Sequence, residues 1–237
     1  MEAKLKLGIM QPYFFPYIGY FQLLNAVDKY VVYDDVNYIN RGWINRNYIL
    51  ASGDKLLINL LLNGASQNKH INELTVIHDE KHEKKLLKTI EMNYGKAPFF
   101  NDAYPVIKSI ITDSECALEL YLFGQLKKLC EYMQIKTELF LSSEINKDVS
   151  LKGEDKILDI CRVLNVGTYY NAVGGTALYS RERFTENGLE LRFLKTNEDL
   201  EYKQYGGEFV PNLSIIDVMM FNSVEEIRSM LERYTLI

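Results

Sequence analysis

The 237-residue sequence is poor in residues that build disulfide frameworks and metal sites. It has three cysteines, three histidines, five prolines and one tryptophan. Cys116, Cys130 and Cys161 form no CxxC pair and lie within apolar helical patterns, so we predict buried thiols rather than disulfides. All three histidines lie between positions 70 and 82, far from the cysteines in sequence. No metal site is therefore predicted.

The sequence also lacks long apolar runs and a basic stripe. No window approaches the roughly 18 uninterrupted apolar residues of a membrane-spanning helix, and the short N-terminal apolar stretch ends at Gln11-Pro12. We therefore expect neither a signal peptide nor an anchor, and predict a cytoplasmic location. The formal net charge of −5 argues against nucleic acid as the main ligand, because phosphate binding needs a basic surface.

The composition that remains is that of an ordinary globular protein, with 47% hydrophobic and 25% charged residues. A chain of this length can bury about 70% of its unfolded surface without disulfides. We predict a single α/β domain over residues 1–237 with a hairpin and helical insertion over residues 48–135. The seventeen tyrosines serve either core-edge packing or a stacking surface for a sugar or a base.

Alternating apolar patterns predict a doubly wound, mainly parallel sheet. Its strands are predicted near residues 5–10, 30–33, 137–141, 168–172 and 189–194. The first two strands and a helix from Gly19 form a βαβ unit, which implies parallel pairing. The insertion is predicted to hold a hairpin around Ser52–Asp54, a strand over Ile71–Ile77, and helices over Glu80–Asn93, Phe100–Ile111 and Ser114–Met133. Further helices are predicted over Glu154–Leu164 and Ser214–Leu231.

Polar residues cluster in three loops that follow predicted strands, namely Gln11–Ile18, Asp34–Asn47 and Val173–Ser180. In open parallel sheets the ligand lies beyond the carboxyl ends of the strands, so these loops predict a binding site. Gly19 lies where the first loop meets a helix N-terminus, which can receive an anion. Gly174-Gly175 is either a phosphate-binding turn or a simple turn.

The second loop is the densest, with two carboxylates, four asparagines, two arginines and the only tryptophan. Arg41 and Arg46 suit carboxylate or phosphate oxygens, and Trp43 can stack on a ring. Side chains that follow a strand alternate in direction, so at most one of Asp34 and Asp35 should face the site. The other should cap a turn or pair with an arginine. An aspartate here is a candidate general base or a structural partner of an arginine.

Two of these runs, Ile9–Phe21 and Asp34–Asn47, resemble the opening motifs of the WbqC-like family. Lys96–Phe100, Ser142-Ser143 and Asn212–Asp217 also match its pattern, so the similarity spans nearly the whole chain. The family is associated with bacterial surface-polysaccharide (O-antigen type) gene clusters, and some members are described as glycine transferases acting on amino sugars. The resemblance implies a transferase acting on an activated sugar. The site residues that this resemblance implies are Gln11, Asp35, Trp43, Asn45 and Arg46.

The first strand, its proline-containing loop and the helix from Gly19 are also similar, more distantly, to cytidylyltransferases and class I synthetase-like folds. This similarity implies a Rossmann-like sheet of the nucleotidyltransferase or HUP-like type. Those enzymes contact phosphates through an HxGH motif. The matching positions here read Tyr17-Ile18-Gly19-Tyr20, without either histidine, which argues against nucleotidyl transfer while leaving the fold unaffected.

The prediction is a transferase that N-acylates or aminoacylates (with glycine, for example) an amino sugar on a nucleotide-linked carrier. No Ser-His-Asp or Cys-His constellation is visible, so direct transfer is favoured over a covalent enzyme intermediate. The predicted catalytic residues are Asp35 as the base, Arg46 and Asn45. The predicted substrate-binding residues are Gln11, Tyr13, Gly19, Arg41, Trp43, Gly174 and Gly175.

Two alternatives stay open on the sequence. An adenylating or nucleotidyl-transferring enzyme of the same fold would depend on ATP and magnesium; no cofactor is otherwise predicted. A sugar-nucleotide-binding protein would bind the same ligand without turnover. The predicted partners are a nucleotide-linked amino sugar and an activated acyl or aminoacyl donor. An aminoacyl-tRNA, as that donor, is the one nucleic acid that would fit. The oligomeric state is open, a homodimer included.

Overall fold

The computed structural model describes residues 4–237, which form ten strands and eight α-helices. The strands are β1 (Lys6–Met10), β2 (Lys29–Val32), β3 (Arg46–Ala51), β4 (Asp54–Asn59), β5 (Leu62–Asn63), β6 (Thr75–Val76), β7 (Glu138–Leu141), β8 (Thr168–Ala172), β9 (Glu190–Thr196) and β10 (Tyr234–Leu236). The helices are α1 (Ile18–Asn25), α2 (Glu80–Tyr94), α3 (Phe100–Ile111), α4 (Leu118–Tyr132), α5 (Gly153–Val163), α6 (Arg181–Glu186), α7 (Ile215–Phe221) and α8 (Val224–Leu231).

Six strands form one central sheet in the order β10-β9-β8-β1-β2-β7. All neighbouring pairs are parallel except β10 with β9, which is antiparallel. The prediction of an α/β protein with a mostly parallel sheet is confirmed, and all five predicted strands lie in this sheet. The three-residue strand β10 and the short helix α6 were not predicted.

The sheet separates two apolar layers, because successive side chains of a strand point to opposite faces. Leu7 and Ile9 of β1 pack in the layer that contains α5 and α6. The larger layer contains α1, α7, α8 and the helices between β2 and β7. Gly8 faces this larger layer, where an added Cβ would lie 3.0 Å from Cδ2 of Tyr30. The alternating pattern of β1 therefore reflects burial on both faces.

The segment between β2 and β7 contains the predicted hairpin, formed by β3 and β4. Ser52 and Gly53 join the two strands with φ angles of 52° and 83°, the positive values that a tight two-residue hairpin turn requires. The predicted strand over 71–77 is wrong. Ile71–Glu73 forms a 3-10 turn, and only Thr75 and Val76 are extended, as β6.

Several predicted boundaries also need correction. The helix predicted from Ser114 begins at Leu118. The predicted C-terminal helix is two helices, because Ser223 caps α8 with its side chain and ends the continuity with α7. Cys130 and Cys161 are buried, and burial raises the pKa of both thiols to about 12, but Cys116 is exposed. Of the described residues, no helix is long and apolar enough to cross a membrane.

Candidate functional site

The main cleft, of about 610 Å³, lies at the carboxyl ends of β1, β8 and β9. The last residues of these strands, Met10, Ala172 and Thr196, all line it. From β1 the sheet continues to β2 and β7, whereas from β8 it continues in the other direction to β9 and β10. The cleft is therefore at the switch point of the sheet, where open α/β sheets bind their ligands.

Two smaller hollows continue this cleft, and Tyr17 and Asn212 line all three spaces. The aromatic hollow, of about 310 Å³, is lined by Tyr13, Tyr17, Trp43, Asn47 and Asn212. The acidic hollow, of about 410 Å³, is the one whose lining includes Glu198 and Glu201. Each volume is in the range of small-molecule sites.

Gly19 lets two walls of the cleft come together. A Cβ on Gly19 would lie 2.4 Å from Cε2 of Tyr17 and 2.8 Å from Oγ1 of Thr196. Thr196 donates a 2.7 Å hydrogen bond to Oε1 of the buried Gln22, which donates in turn to the carbonyls of Met230 and Arg233. A glycine at position 19 is therefore required by the packing of the cleft wall itself.

The aromatic loop after β1 is held by residues that are distant in sequence. The buried Gln125 of α4 accepts a hydrogen bond from the Phe15 amide at 3.0 Å and donates one to the Tyr13 carbonyl at 2.8 Å. Asn47 donates to the carbonyls of Phe14 and Phe15 at 3.2 and 2.8 Å. The loop is thus fixed before any ligand arrives, as a preorganised binding surface requires.

Several polar groups of the aromatic hollow have no hydrogen-bonding partner among the described residues. Within residues 4–237, the side-chain amide of Asn212 and the hydroxyls of Tyr13 and Tyr17 make no hydrogen bond to another residue. Burial raises the pKa of both tyrosines, and Tyr17 adds to the effect on Tyr13, so both hydroxyls stay protonated. Asn212, Tyr17 and Thr196 were not among the predicted site residues.

A model of the WbqC-like protein family matches residues 11–229, which include the cleft lining from Tyr13 to Asn212.

The chain belongs to the WbqC-like family. It is also 25% identical over 218 residues to the uncharacterized protein Rv1507c of Mycobacterium tuberculosis, covering 92% of this chain and 93% of that protein. No solved structure matches the chain. Family membership thus agrees with the resemblance of the two opening motifs, whereas neither match specifies a reaction.

In this WbqC-like protein, half of the predicted site residues line the main cleft. They are Tyr13, Gly19, Trp43, Gly174 and Gly175. Gly174 and Gly175, from the third predicted loop, belong to a 3-10 turn over Val173–Leu178 rather than to an open loop. A Cβ on Gly175 would lie 3.1 Å from Cγ of Asn171, whereas one on Gly174 would have open space around it. Of these two glycines, packing therefore favours a glycine only at position 175.

The other five predicted residues, which are Gln11, Asp35, Arg41, Asn45 and Arg46, lie outside the described lining of the three spaces. Arg46 donates from Nε to the Gly42 carbonyl at 3.0 Å and from Nη2 to the Arg41 carbonyl. Arg41 itself is exposed, with φ at 59°. These contacts close the loop that carries Trp43.

Asn45 and Gln11 also contact protein groups. Asn45 donates to the Leu60 carbonyl at 3.0 Å and accepts from the Tyr38 hydroxyl at 2.8 Å, which joins its loop to the end of the hairpin. Gln11 donates to the Asn37 carbonyl at 3.5 Å, a long hydrogen bond. The functional roles of these residues stay predictions.

Asp35 is the centre of an ionic cluster, which we define as Asp35, Lys147 and Lys156. Its Oδ2 lies 2.9 Å from Lys147 Nζ, and its Oδ1 lies 3.0 Å from Lys156 Nζ. Burial by itself raises the pKa of Asp35, but hydrogen bonding by Lys147 and Lys156 and the charge of Lys156 outweigh it, so the pKa is lowered. The expected arginine partner is thus replaced by two lysines.

Asp34 behaves differently from its neighbour. It is fully buried, and its Oδ1 accepts a 3.0 Å hydrogen bond from the amide of Ser143 in the turn after β7. This matches the expectation that one aspartate of the pair caps a turn. Of the described residues, no group of three or more His, Cys, Asp or Glu side chains is placed to hold a metal ion. The cleft instead presents rings, amides and hydroxyls, which suit an organic ligand.

Proposed function

We propose that this WbqC-like protein is a transferase of bacterial surface-polysaccharide biosynthesis that builds an amide on a nucleotide-linked amino sugar. The transferred group is an acyl or an aminoacyl group, such as glycyl. The observation that supports this most is the main cleft at the switch point, with its aromatic hollow and with amide and hydroxyl groups that have no partner within residues 4–237. Such a lining matches a ligand with flat apolar faces and many polar edges.

The strand order supports the nucleotide part of the ligand. Numbered only among themselves, the five parallel strands run 3-2-1-4-5, the order of doubly wound nucleotide-binding sheets. α1 begins beside the cleft at Ile18, and no side chain caps its N-terminus at Tyr17. Free amides at such a helix start favour an anion. Lys195 also lines the cleft, where a phosphate would compete with Glu198 for its ammonium group. These features support the proposal that the sheet is Rossmann-like, of the nucleotidyltransferase or HUP-like type.

The chemistry requires a neutral sugar amine that attacks the carbonyl of the activated donor. A nitrogen–carbon bond forms, the donor's leaving group departs, and the amine proton passes to a base. Asp35 stays the predicted base. Its two lysines make that role demanding, because a carboxylate with a lowered pKa accepts a proton from an amine less readily. Backbone amides near Gly19 or Gly174 are the candidate donors to the oxyanion or to a phosphate.

Mass spectrometry of the purified protein with amino-sugar nucleotides and acyl or aminoacyl donors tests the proposal. We expect the mass of one acyl or aminoacyl group to be added to the amino-sugar nucleotide. The matched nucleotide sugar with a hydroxyl in place of the amine should bind without being modified. Tight binding without turnover across all donors would indicate a binding protein instead. Turnover that consumes ATP and needs magnesium would indicate the adenylating alternative.

A further inference from the structure

We infer that the aromatic hollow is the subsite for the sugar ring, and that the amide of Asn212 hydrogen-bonds the sugar. This rests on the proposed function and adds the position of the sugar within the cleft. The nucleotide would then lie in the main cleft, which continues from the hollow past Tyr17.

The lining of the aromatic hollow is neutral and has two kinds of surface. Three of its five residues, Tyr13, Tyr17 and Trp43, are aromatic, and the other two are asparagines. A pyranose ring has apolar C–H faces, which pack on aromatic rings, and a polar rim of hydroxyl and amide groups, which need donors and acceptors. A phosphate would gain no cation among these five residues. The hollow therefore fits the sugar rather than the charged part of the ligand.

Only one of the two asparagines of the hollow is available to a ligand. Asn47 uses its Nδ2 on the carbonyls of Phe14 and Phe15, and its Oδ1 accepts from the amide of Tyr48 at 2.8 Å. Asn212 is exposed and, within residues 4–237, its side-chain amide contacts no hydrogen-bonding partner. An amide offers both donors and an acceptor, which matches the mixed rim of an amino sugar.

The backbone holds Asn212 in place at some conformational cost. Its φ angle is 58°, in the left-handed region that few residues other than glycine and asparagine enter readily. Two residues later, Ser214 anchors the chain by donating from its amide to the Tyr48 carbonyl at 2.8 Å and from Oγ to the Phe15 carbonyl at 2.9 Å. Non-glycine residues fixed in this conformation concentrate at ligand sites. Here the free amide lies against the hollow as well.

The left-handed backbone makes a clean test available, because Asn212→Gly removes the amide while glycine accepts the same φ. Asn165 is the matched control. It has φ at 51° and is also exposed, but it lies at the end of α5 outside the three cleft spaces, so Asn165→Gly makes the same chemical change elsewhere.

The experiment is calorimetric titration of wild-type protein and both variants with an amino-sugar nucleotide and with the bare nucleotide. We expect Asn212→Gly to lower the affinity for the amino-sugar nucleotide about 3- to 10-fold, which is the effect of losing one neutral hydrogen bond. Its affinity for the bare nucleotide should be unchanged. Asn165→Gly should bind both ligands like the wild type. Asn212→Asp keeps the shape of the side chain but removes its hydrogen-bond donors. It should lower the affinity for the amino-sugar nucleotide at least as much as Asn212→Gly does.

Two results would overturn the inference while leaving the proposed function intact. One is equal affinity of wild type and Asn212→Gly for the amino-sugar nucleotide. The other is an equal loss of affinity for both ligands, which would mean that Asn212 contacts the nucleotide rather than the sugar. If the wild type binds neither ligand, the proposed function fails and the inference fails with it.

Discussion

Two polar regions lie at the carboxyl ends of the strands, and they differ in whether their side chains already have partners. In the ionic cluster, Asp35 contacts the ammonium groups of Lys147 and Lys156 at 2.9 and 3.0 Å. In the aromatic hollow, the amide of Asn212 and the hydroxyl of Tyr17 contact no hydrogen-bonding partner within residues 4–237. Buried charges need opposite charges or hydrogen bonds within the protein, whereas polar groups at a ligand site can form their hydrogen bonds with the ligand. We therefore assign stability mainly to the cluster and binding mainly to the hollow.

The largest expected effect comes from removing the carboxylate of the ionic cluster. Asp35→Asn leaves two nearly buried lysines without their counter-charge, so we expect the free energy of unfolding to fall by about 3–5 kcal/mol. Asp199→Asn is the control, because Asp199 pairs with Arg233 at the surface and should matter by less than about 1 kcal/mol. Urea denaturation measures both.

The same variant also tests whether Asp35 is the general base, because removing a base lowers turnover without weakening substrate binding. The folded protein would then keep its affinity for the sugar nucleotide, while turnover fell about 10²–10⁴-fold, well beyond what the loss of stability explains. That combination would move the reaction centre from the cleft toward the ionic cluster.

A smaller loss is expected where the walls of the main cleft meet. Gly19→Ala forces a Cβ against Tyr17 and Thr196, at 2.4 and 2.8 Å, and overpacking of this kind costs about 1–3 kcal/mol. The cleft should distort as well, so ligand affinity should fall with stability. Gly174→Ala is the control for stability, since its Cβ would meet no atom within 4 Å. An unaltered melting temperature and affinity in Gly19→Ala would show that Tyr17 and Thr196 can move aside at little cost, and would contradict this prediction.

Arg46 gives a further comparison within the loop that carries Trp43. Arg46→Ala removes the hydrogen bonds to the Gly42 and Arg41 carbonyls, and we expect a loss of about 1–2 kcal/mol in thermal unfolding. Arg41→Ala removes an exposed side chain and should leave stability nearly unchanged. If Arg46→Ala instead keeps full stability and loses catalytic efficiency, its predicted contact with substrate is supported.

The smallest expected effect is a difference in how two aspartates make the free energy of unfolding depend on pH. The lowered pKa of Asp35 means that its stabilisation is present above its usual pKa of 3.8 and is lost as the pH falls through the folded-state value. Burial raises the pKa of Asp217, although Tyr202, Tyr94 and Gln204 donate to it, so its contribution is lost as the pH rises above 3.8. The stability deficit of Asp35→Asn should therefore shrink on acidification, whereas that of Asp217→Asn should grow. Denaturation at a series of pH values measures both slopes.

The sequence predicted the sheet well because its strands are short apolar runs with local signals. The βαβ unit from β1 to β2 is an example. It did not predict β10, a three-residue strand whose only signal is its pairing with β9. The loop at Asp34–Asn47 was predicted as one site, but the structure divides it. Trp43 lines the cleft, whereas Asn45 and Arg46 hold the loop through backbone carbonyls.

The remaining contacts could not be predicted because their partners are distant in sequence. Gln125 holds the Phe15 amide from 110 residues away, and nothing around Gln125 in its helix indicates this. Asn212 belongs to a matched family motif, but its free amide is visible only once the loop after β1 is beside it. The division of the chain into one domain with an insertion over residues 48–135 also stays a prediction. Whether a polar side chain is satisfied or free depends on the fold and not on the motif.

Trp43 allows the most direct measurement of the central claim, because it is the only tryptophan in the sequence and it lines the aromatic hollow. Its fluorescence is recorded while the wild-type protein is titrated with an amino-sugar nucleotide. If the ligand binds in the cleft with its sugar in the hollow, the emission changes and saturates at the concentrations that saturate binding in calorimetry. Saturable binding by calorimetry with no change in Trp43 emission would contradict the account and place the ligand elsewhere.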